Sequence, residues 1–156
     1  MNYWNVTEVI QMLCIDKAFG IFTRNGLDYQ LHWLSKPSEY IISLLDFQNV
    51  SNMNKELGYI EVNNRFKQIF EPFKNKMFIG RCFSGDEILI LYKKTEEPLF
   101  REFASYSYEN NLFFYMTGME YSGNLDNDIL TLIENLKTKS MIYVPPMKKE
   151  DFVLIP

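Results

Sequence analysis

The stretch Met77-Phe78-Ile79-Gly80-Arg81-Cys82-Phe83-Ser84-Gly85-Asp86-Glu87-Ile88-Leu89-Ile90-Leu91-Tyr92 decides the fold. Two apolar runs, residues 77–83 and 88–92, flank the tetrapeptide Ser84-Gly85-Asp86-Glu87. Gly and Asp favour the tight turns that join paired strands, so the stretch predicts a β-hairpin. Its turn carries two adjacent carboxylates, Asp86 and Glu87, to one end of a sheet. The plain alternative is a hairpin turn whose acids are there only for their turn geometry.

Working outward, residues 39–46 form a β-rich apolar run that ends in an acid, Asp46. Residues 49–74 read as one long helix or two, notched at Gly58. Beyond the hairpin, residues 96–108 read as a helix with Pro98 in its first turn, and 112–119 as another strand. Residues 126–139 carry apolar side chains at 129, 130, 132, 133 and 136, the stripe of a helix with Asp126 as its cap. A last short strand is expected at 141–144, before Pro145-Pro146. Upstream, residues 4–14 carry apolar side chains at 4, 6, 9, 10, 13 and 14, close to a helical stripe that residues 16–22 interrupt. A second short helix is expected from Arg24 to about Trp33, capped by Thr23, with Pro37 closing the segment.

From residue 39 the order is strand, helix (one or two), strand, strand, helix, strand, helix. That is a ferredoxin-like α+β layout, an antiparallel-centred sheet with helices packed on one face. Residues 1–144 are expected to form a single domain and 145–156 a tail. Within the tail, Phe152-Val153-Leu154-Ile155 is apolar enough to dock on a surface, the chain's own or a partner's.

At 156 residues the chain can bury one sizeable core, and two domains would be crowded. Hydrophobic residues make up 47% and charged residues 23%, a globular balance without a biased tract. The longest apolar runs, 40–45 and 112–116, are far short of a membrane span, and no basic-then-apolar leader opens the chain, which together point to the cytoplasm and to no membrane partner. The tripeptides Asn5-Val6-Thr7 and Asn49-Val50-Ser51 match a glycosylation pattern that only secretion would make relevant. Two cysteines, Cys14 and Cys82, and one histidine, His32, are too few for a thiolate or imidazole metal site, so buried free thiols and a helix-face histidine are expected. A net charge of −4 argues against a dedicated nucleic-acid binder. Arg81, Lys93, Lys94, Lys137 and Lys139 are either local phosphate contacts or ordinary solvated surface.

In this layout the first sheet strand and the hairpin are neighbours, so Asp46 and the Asp86-Glu87 pair converge in one small volume. Carboxylates so close raise one another's pKa, and a hard divalent cation, Mg2+ or Mn2+, resolves the repulsion. Such ions also take phosphate oxygens and stabilise the attacking and leaving oxygens of an in-line phosphoryl transfer. A helix begins just after Asp46, so the free backbone N–H groups of Asn49, Val50 and Ser51 are suited to a triphosphate tail. The alternative for Asp46 is a capping residue at a strand end.

These residues fall in the order of a known pattern. The run 16–27, Asp-Lys-Ala-Phe-Gly-Ile-Phe-Thr-Arg-Asn-Gly-Leu, resembles the D-x-L-T-G-L-x-N-R opening of GGDEF-type nucleotide cyclases. Leu44-Leu45-Asp46-Phe47-Gln48-Asn49 resembles their D-x-D strand end, Asn54 and Gly58 fall on their N and G helix positions, and Ser84-Gly85-Asp86-Glu87-Ile88 on the signature itself. The resemblance implies that Asp46, the carbonyl of Phe47 and Asp86 bind the metals with Glu87 close by. It further implies that Asn54 touches the nucleotide base and that Lys139 or Lys137 neutralises phosphate. Members of the family condense two nucleoside triphosphates into a cyclic dinucleotide, each subunit of a homodimer presenting one.

The departures are Gln48 for the second aspartate, Ser84 for the first signature glycine, and Cys82 for an arginine, with Arg81 displaced by one. Asn63 stands where diguanylate cyclases set an aspartate against the guanine edge. Guanine there offers two donors, which suit a carboxylate, whereas adenine offers a donor and an acceptor, which an amide complements. Asn75 and Phe78 occupy the places of the inhibitory R-x-x-D motif, so product feedback of that sort is not expected. A palm domain of this kind standing alone looks most like the minimal CRISPR polymerases of anti-phage signalling, which implies ATP as the favoured substrate and a separate effector of the product. Three other readings stay open: a diguanylate cyclase acting on GTP, a catalytically inactive nucleotide-binding module, and a structural α+β module whose acids are accidental.

Overall fold

A computed structural model describes residues 13–83, 86–139, 141–142 and 154–155 of the chain. The helix expected at 4–14 lies almost wholly outside the described residues, as do Ser84, Gly85, Tyr143, Val144, Phe152 and Val153 and the side chain of Lys139. The described elements are the strands β1 (Ile15–Asp16) and β2 (Ile21–Phe22), helix α1 (Arg24–Leu31), β3 (Tyr40–Phe47), α2 (Val50–Leu57), α3 (Tyr59–Phe70), β4 (Phe78–Arg81), β5 (Glu87–Lys93), α4 (Glu97–Glu109), β6 (Phe114–Glu120), α5 (Leu125–Lys139), β7 (Met141–Ile142) and β8 (Leu154–Ile155). No helix among the described residues is long and apolar enough to cross a membrane.

The sheet runs β1-β2-β4-β5-β3-β6-β7, with β8 beside β6. At its centre β3 pairs antiparallel with β5 on one side and β6 on the other, over almost its whole length. The hairpin is therefore β4 and β5, aligned Phe78↔Leu91 to Arg81↔Ile88. The fold is α+β, with the antiparallel centre that the order of elements predicts.

The expectation of helices on one face is corrected in one respect, because both faces are covered. On one face Ile41, Leu45, Phe47, Ile88 and Ile90 pack with Val62, Phe66, Ile69 and Phe70 of α3 and Phe100 and Phe103 of α4. On the other, Ile42, Leu44, Leu89 and Leu91 pack with Leu27 and Leu31 of α1 and Leu125, Ile129 and Leu132 of α5. The reason is visible in β3 and β5 themselves, IISLL and ILILY, which are apolar at consecutive positions rather than alternate ones. A strand with solvent on one face alternates; one buried on both faces does not.

Local signals explain most boundaries. Thr23 caps α1, its hydroxyl accepting from the backbone N–H of Gly26 at 3.0 Å. Gly58, at φ +84°, separates α2 from α3 in a conformation that side chains avoid. Asp126, expected to cap α5, does not: the side chain of Asn124 accepts from the N–H of Asn127 at 3.1 Å, and Asp126 pairs with Arg24 instead. Residues 16–22, read as an interruption, are a small antiparallel ladder, Ile15↔Phe22 and Asp16↔Ile21. Its connection closes through Asp16, which accepts from Phe19 N at 3.0 Å with its side chain and from Gly20 N at 2.8 Å with its carbonyl. At the tail, Leu154 and Ile155 pair in parallel with Gly118 and Met119 of β6, so this part of the apolar run docks on the chain's own sheet.

Gly26 supplies a stability prediction. A Cβ there would stand against the Cys14 carbonyl oxygen, with Cys14 Cα at 2.6 Å, and that carbonyl is pinned by the Thr23 N–H at 2.8 Å. Because backbone rather than a flexible side chain must move, Gly26→Ala should destabilise by about 2 kcal/mol. Urea unfolding of the two proteins checks this, and an unchanged midpoint would show that the N-terminal approach to α1 is loose.

Candidate functional site

At one end of the sheet β3 finishes and β5 begins, and the ladder sets Asp46 directly opposite Glu87. Opposed residues of an antiparallel pair project to the same face with Cβ atoms roughly 5 Å apart. Asp86 precedes Glu87, and its carbonyl accepts from Phe47 N at 3.0 Å, so the turn is fastened to the end of β3. Cys82 N donates to the Glu87 carbonyl at 3.1 Å and fastens the other leg of the hairpin. Sequence order alone spreads these groups over forty residues; the ladder brings them to one sheet end.

Their electrostatics follow from that crowding. The Asp46 carboxyl is raised above its ordinary value by burial and then by the charge of Asp86, with the Gln48 side chain working against both. Asp86 is raised by burial and partly relieved by Arg81. Glu87 is raised by burial and then by Asp46, less by Asp86, while a hydrogen bond from Cys82 and the charge of Lys137 oppose the rise. One oxygen of Glu87, Oε2, is buried without a hydrogen-bond partner. The Cys82 thiol is itself pushed up to about 12, first by burial and then by Glu87, and is therefore a neutral S–H donor at neutral pH.

The three carboxylates interact through their charges but are not drawn into a compact ligand cage. Among the described residues no three Asp, Glu, His or Cys side chains are close enough together to hold a metal ion. The donors present are nevertheless hard oxygens, the kind that Mg2+ and Mn2+ take, and the unpartnered Glu87 Oε2 is an acceptor that a cation or its water would satisfy.

Around this centre the other sequence-designated residues are distributed unevenly. Asn49 takes a left-handed conformation, φ 63°, and its side chain accepts from Asn52 Nδ2 at 2.7 Å rather than capping the helix. The first bond within α2 is Met53 N to Asn49 O at 3.0 Å, which leaves the N–H groups of Val50 and Ser51 outside the helix ladder. Asn54, on the same helix, has a buried side-chain oxygen without a partner, and Asn63 is half-buried on α3. Gln48 donates to the Asp46 carbonyl at 2.9 Å, a local brace rather than a second acid. Lys137, on α5, acts on Glu87 through its charge.

Two of the proposed phosphate contacts are engaged elsewhere. Arg81 donates to Asp16 at 3.2 Å and stacks 3.7 Å from the Phe19 ring centre, and Lys94 pairs with Glu120 at 2.6 Å. The hydrogen bond between Cys82 and Glu87 escapes sequence reasoning, which treats Cys82 only as a buried thiol. A cavity of about 390 Å³ lies at the opposite end of the sheet, between Tyr40, Phe78 and Lys93, and shares no residue with the carboxylate end.

The raised carboxyls carry a pH prediction. Between their ordinary values and their raised ones, the folded chain holds protons that the unfolded chain has released, so stability falls as pH rises through that window. Metal-free protein should therefore melt lower at pH 7.5 than just above the ordinary carboxylate range. Millimolar Mg2+ or Mn2+ should raise the midpoint at pH 7.5 and act little at the lower pH, because the cation binds the charged forms. Thermal melts at both pH values, with and without the ion, check the sign.

No protein-family model matches the chain, and no curated protein is similar enough to match it. Solved structures do share its fold. A microbial GGDEF domain described with cyclic di-GMP is 16% identical, with a TM-score of 0.63 over 81% of this chain and 94% of that one. A diguanylate cyclase/phosphodiesterase from Caldicellulosiruptor saccharolyticus is 18% identical, with a TM-score of 0.62 over 85% and 92%. The S helix-GGDEF-EAL portion of LapD from Vibrio cholerae, bound to c-di-GMP, is 18% identical with a TM-score of 0.68, and this chain spans 38% of that longer one. The fold is thus the palm-like α+β fold of GGDEF domains.

Proposed function

We propose that this chain is a metal-dependent nucleotidyltransferase that condenses two nucleoside triphosphates into a cyclic dinucleotide. The observation that carries the reading is the meeting of Asp46, Asp86 and Glu87 at one sheet end, each raised by burial and Asp46 and Glu87 also by neighbouring acids, with one oxygen of Glu87 buried and unpartnered. A structural sheet end has no use for three mutually repelling carboxylates, whereas a divalent cation does.

In this reading Asp46, the Phe47 carbonyl and Asp86 hold the Mg2+ or Mn2+, and Glu87 lies beside them. When bound, the ions would stabilise the charge on the attacking and leaving oxygens. The chain's own groups do the rest. Backbone N–H groups at Asn49, Val50 and Ser51 receive the triphosphate, Asn54 and Asn63 meet the base edge, and Lys139 or Lys137 neutralises phosphate charge. A ribose hydroxyl of one nucleotide attacks the α-phosphorus of the other, the bond to the pyrophosphate breaks, and pyrophosphate leaves. Two such steps close the ring, which requires two copies of the chain facing one another as a homodimer. The proposed unit is residues 1–144, and of the tail 145–156 the pair Leu154–Ile155 adds to its sheet beside β6.

The amide at Asn63 favours adenine over guanine, so ATP is the preferred substrate, and with an adenine product the role is like that of the minimal CRISPR polymerases in anti-phage signalling. A second reading, a diguanylate cyclase using GTP, is supported by the shared fold with GGDEF domains, some of them described with c-di-GMP. Mass spectrometry of products formed from ATP, GTP and their mixture, with Mg2+ or Mn2+, separates the two. An adenine-containing cyclic dinucleotide is expected; a guanine-only product would overturn the base preference and leave the chemistry standing.

A further inference from the structure

Asp46 has two cross-strand neighbours, not one. On β5 it faces Glu87; on β6 it faces Tyr115. Directly opposed residues project to the same face, so Glu87, Asp46 and Tyr115 form a row across three strands. The same alternation sets Leu44, Leu89 and Thr117 on that face one step inward. There Leu44 and Leu89 are fully buried under α1 and α5, and Thr117 is held by Asn135 of α5 at 2.5 Å. Tyr115 belongs to neither buried cluster: it is half-buried, at the carboxylate end of the sheet. Its hydroxyl has no hydrogen-bond partner among the described residues, and the Gln48 side chain donates to the Asp46 backbone carbonyl at 2.9 Å.

The chemistry of the row is unbalanced. Asp46 and Glu87 are acceptors when ionised, and the basic groups that act on the carboxylates are Lys137 from α5 and Arg81 from β4, the latter already committed to Asp16. A triphosphate brought to this end needs neutral donors that do not quench the carboxylates needed for a cation. A phenol is such a donor, and its reach exceeds the roughly 5 Å between opposed Cβ atoms.

We infer that Tyr115 is a substrate-contacting residue whose hydroxyl donates a hydrogen bond to a phosphate oxygen of the nucleoside triphosphate held beside Asp46. This rests on the nucleotidyltransferase reading and extends it to a residue outside the signature turn. The row then divides its work, with the carboxylates turned toward the cation and the phenol toward the phosphate.

The test is calorimetric titration of ATP, GTP and inorganic tripolyphosphate, each with Mg2+, into the wild-type chain, Tyr115→Phe and Tyr29→Phe. Tyr29 is exposed on α1 and serves as the control. Removing only the hydroxyl should weaken nucleotide and tripolyphosphate binding about tenfold, the size expected for a hydrogen bond to a charged group, with the melting midpoint unchanged and Tyr29→Phe behaving as wild type. If wild type binds and Tyr115→Phe binds equally well, the inference falls and the functional reading stands. Weaker nucleotide binding with unchanged tripolyphosphate binding would also overturn it, because the phenol would then serve the base or the sugar. If wild type binds none of the three ligands, both fall.

Discussion

Asp86→Ala should abolish the metal-dependent conversion of nucleoside triphosphates, lowering turnover on the order of 10³-fold or more, without unfolding the protein. The loss is large because Asp86 is proposed to hold the cation directly, and its removal takes away a ligand and a charge together. The fold should survive because the contact that fastens the turn to β3 uses the Asp86 backbone carbonyl, which alanine retains. Removing one of three mutually repelling carboxyls should even raise the melting temperature slightly near neutral pH, since Asp46 is then relieved of a neighbouring charge. Asp86→Asn, which keeps the shape and loses the charge, should fall nearly as far. Product formation followed by chromatography at saturating Mg2+ and Mn2+ is the measurement. Turnover equal to wild type would remove the enzyme reading and leave a nucleotide-binding module of the same fold.

The largest effect on stability is expected from Phe70→Ala. Phe70 is fully buried, and its ring meets those of Phe19 at 6.0 Å, Phe47 at 6.3 Å, Phe66 at 6.2 Å and Phe103 at 5.8 Å. It therefore joins the β1–β2 loop, the end of β3, α3 and α4 in one aromatic cluster. Truncating a buried phenylalanine removes its transfer energy and opens a cavity, at about 3–5 kcal/mol, against a total stability of about 5–15 kcal/mol for a domain. Urea unfolding should show the stability falling by that amount with the slope unchanged. The same variant should loosen the site, because Phe47 stands next to Asp46 and loses a packing partner. A loss under about 1 kcal/mol would mean that the neighbouring rings collapse into the gap.

Much of this architecture is legible in the sequence, and the parts that are not share a cause. The central strands, the notch at Gly58 and the Thr23 cap follow from local chemistry: runs of β-formers, a glycine at positive φ, a hydroxyl aimed at a free N–H. The doubly covered sheet is also written locally, in the unbroken apolar runs of β3 and β5, although the order of elements points to a single helical layer. The cap of α5 is not, since Asn124 and Asp126 are both good capping residues and the choice falls to Arg24, far away in the chain, which draws Asp126 off. The site divides in the same way. Asp46, Asp86 and Glu87 announce themselves as acids at strand ends, whereas their neighbours depend on register: Cys82 beside Glu87 through the hairpin, Tyr115 opposite Asp46 through β6. A one-residue slip would turn each to the other face, and nothing local in those residues fixes that.

Among the described residues both margins of the sheet are made of dipeptides, β1 on one side and the end-to-end pair β7 and β8 on the other. The long ladders that carry the carboxylates lie inside, where their N–H and C=O groups are already taken. Bare strand edges invite pairing between molecules, and short ones offer too little template for a stable intermolecular ladder. The homodimer proposed above can thus form face to face, without the rival option of zipping edge to edge into fibres at high concentration.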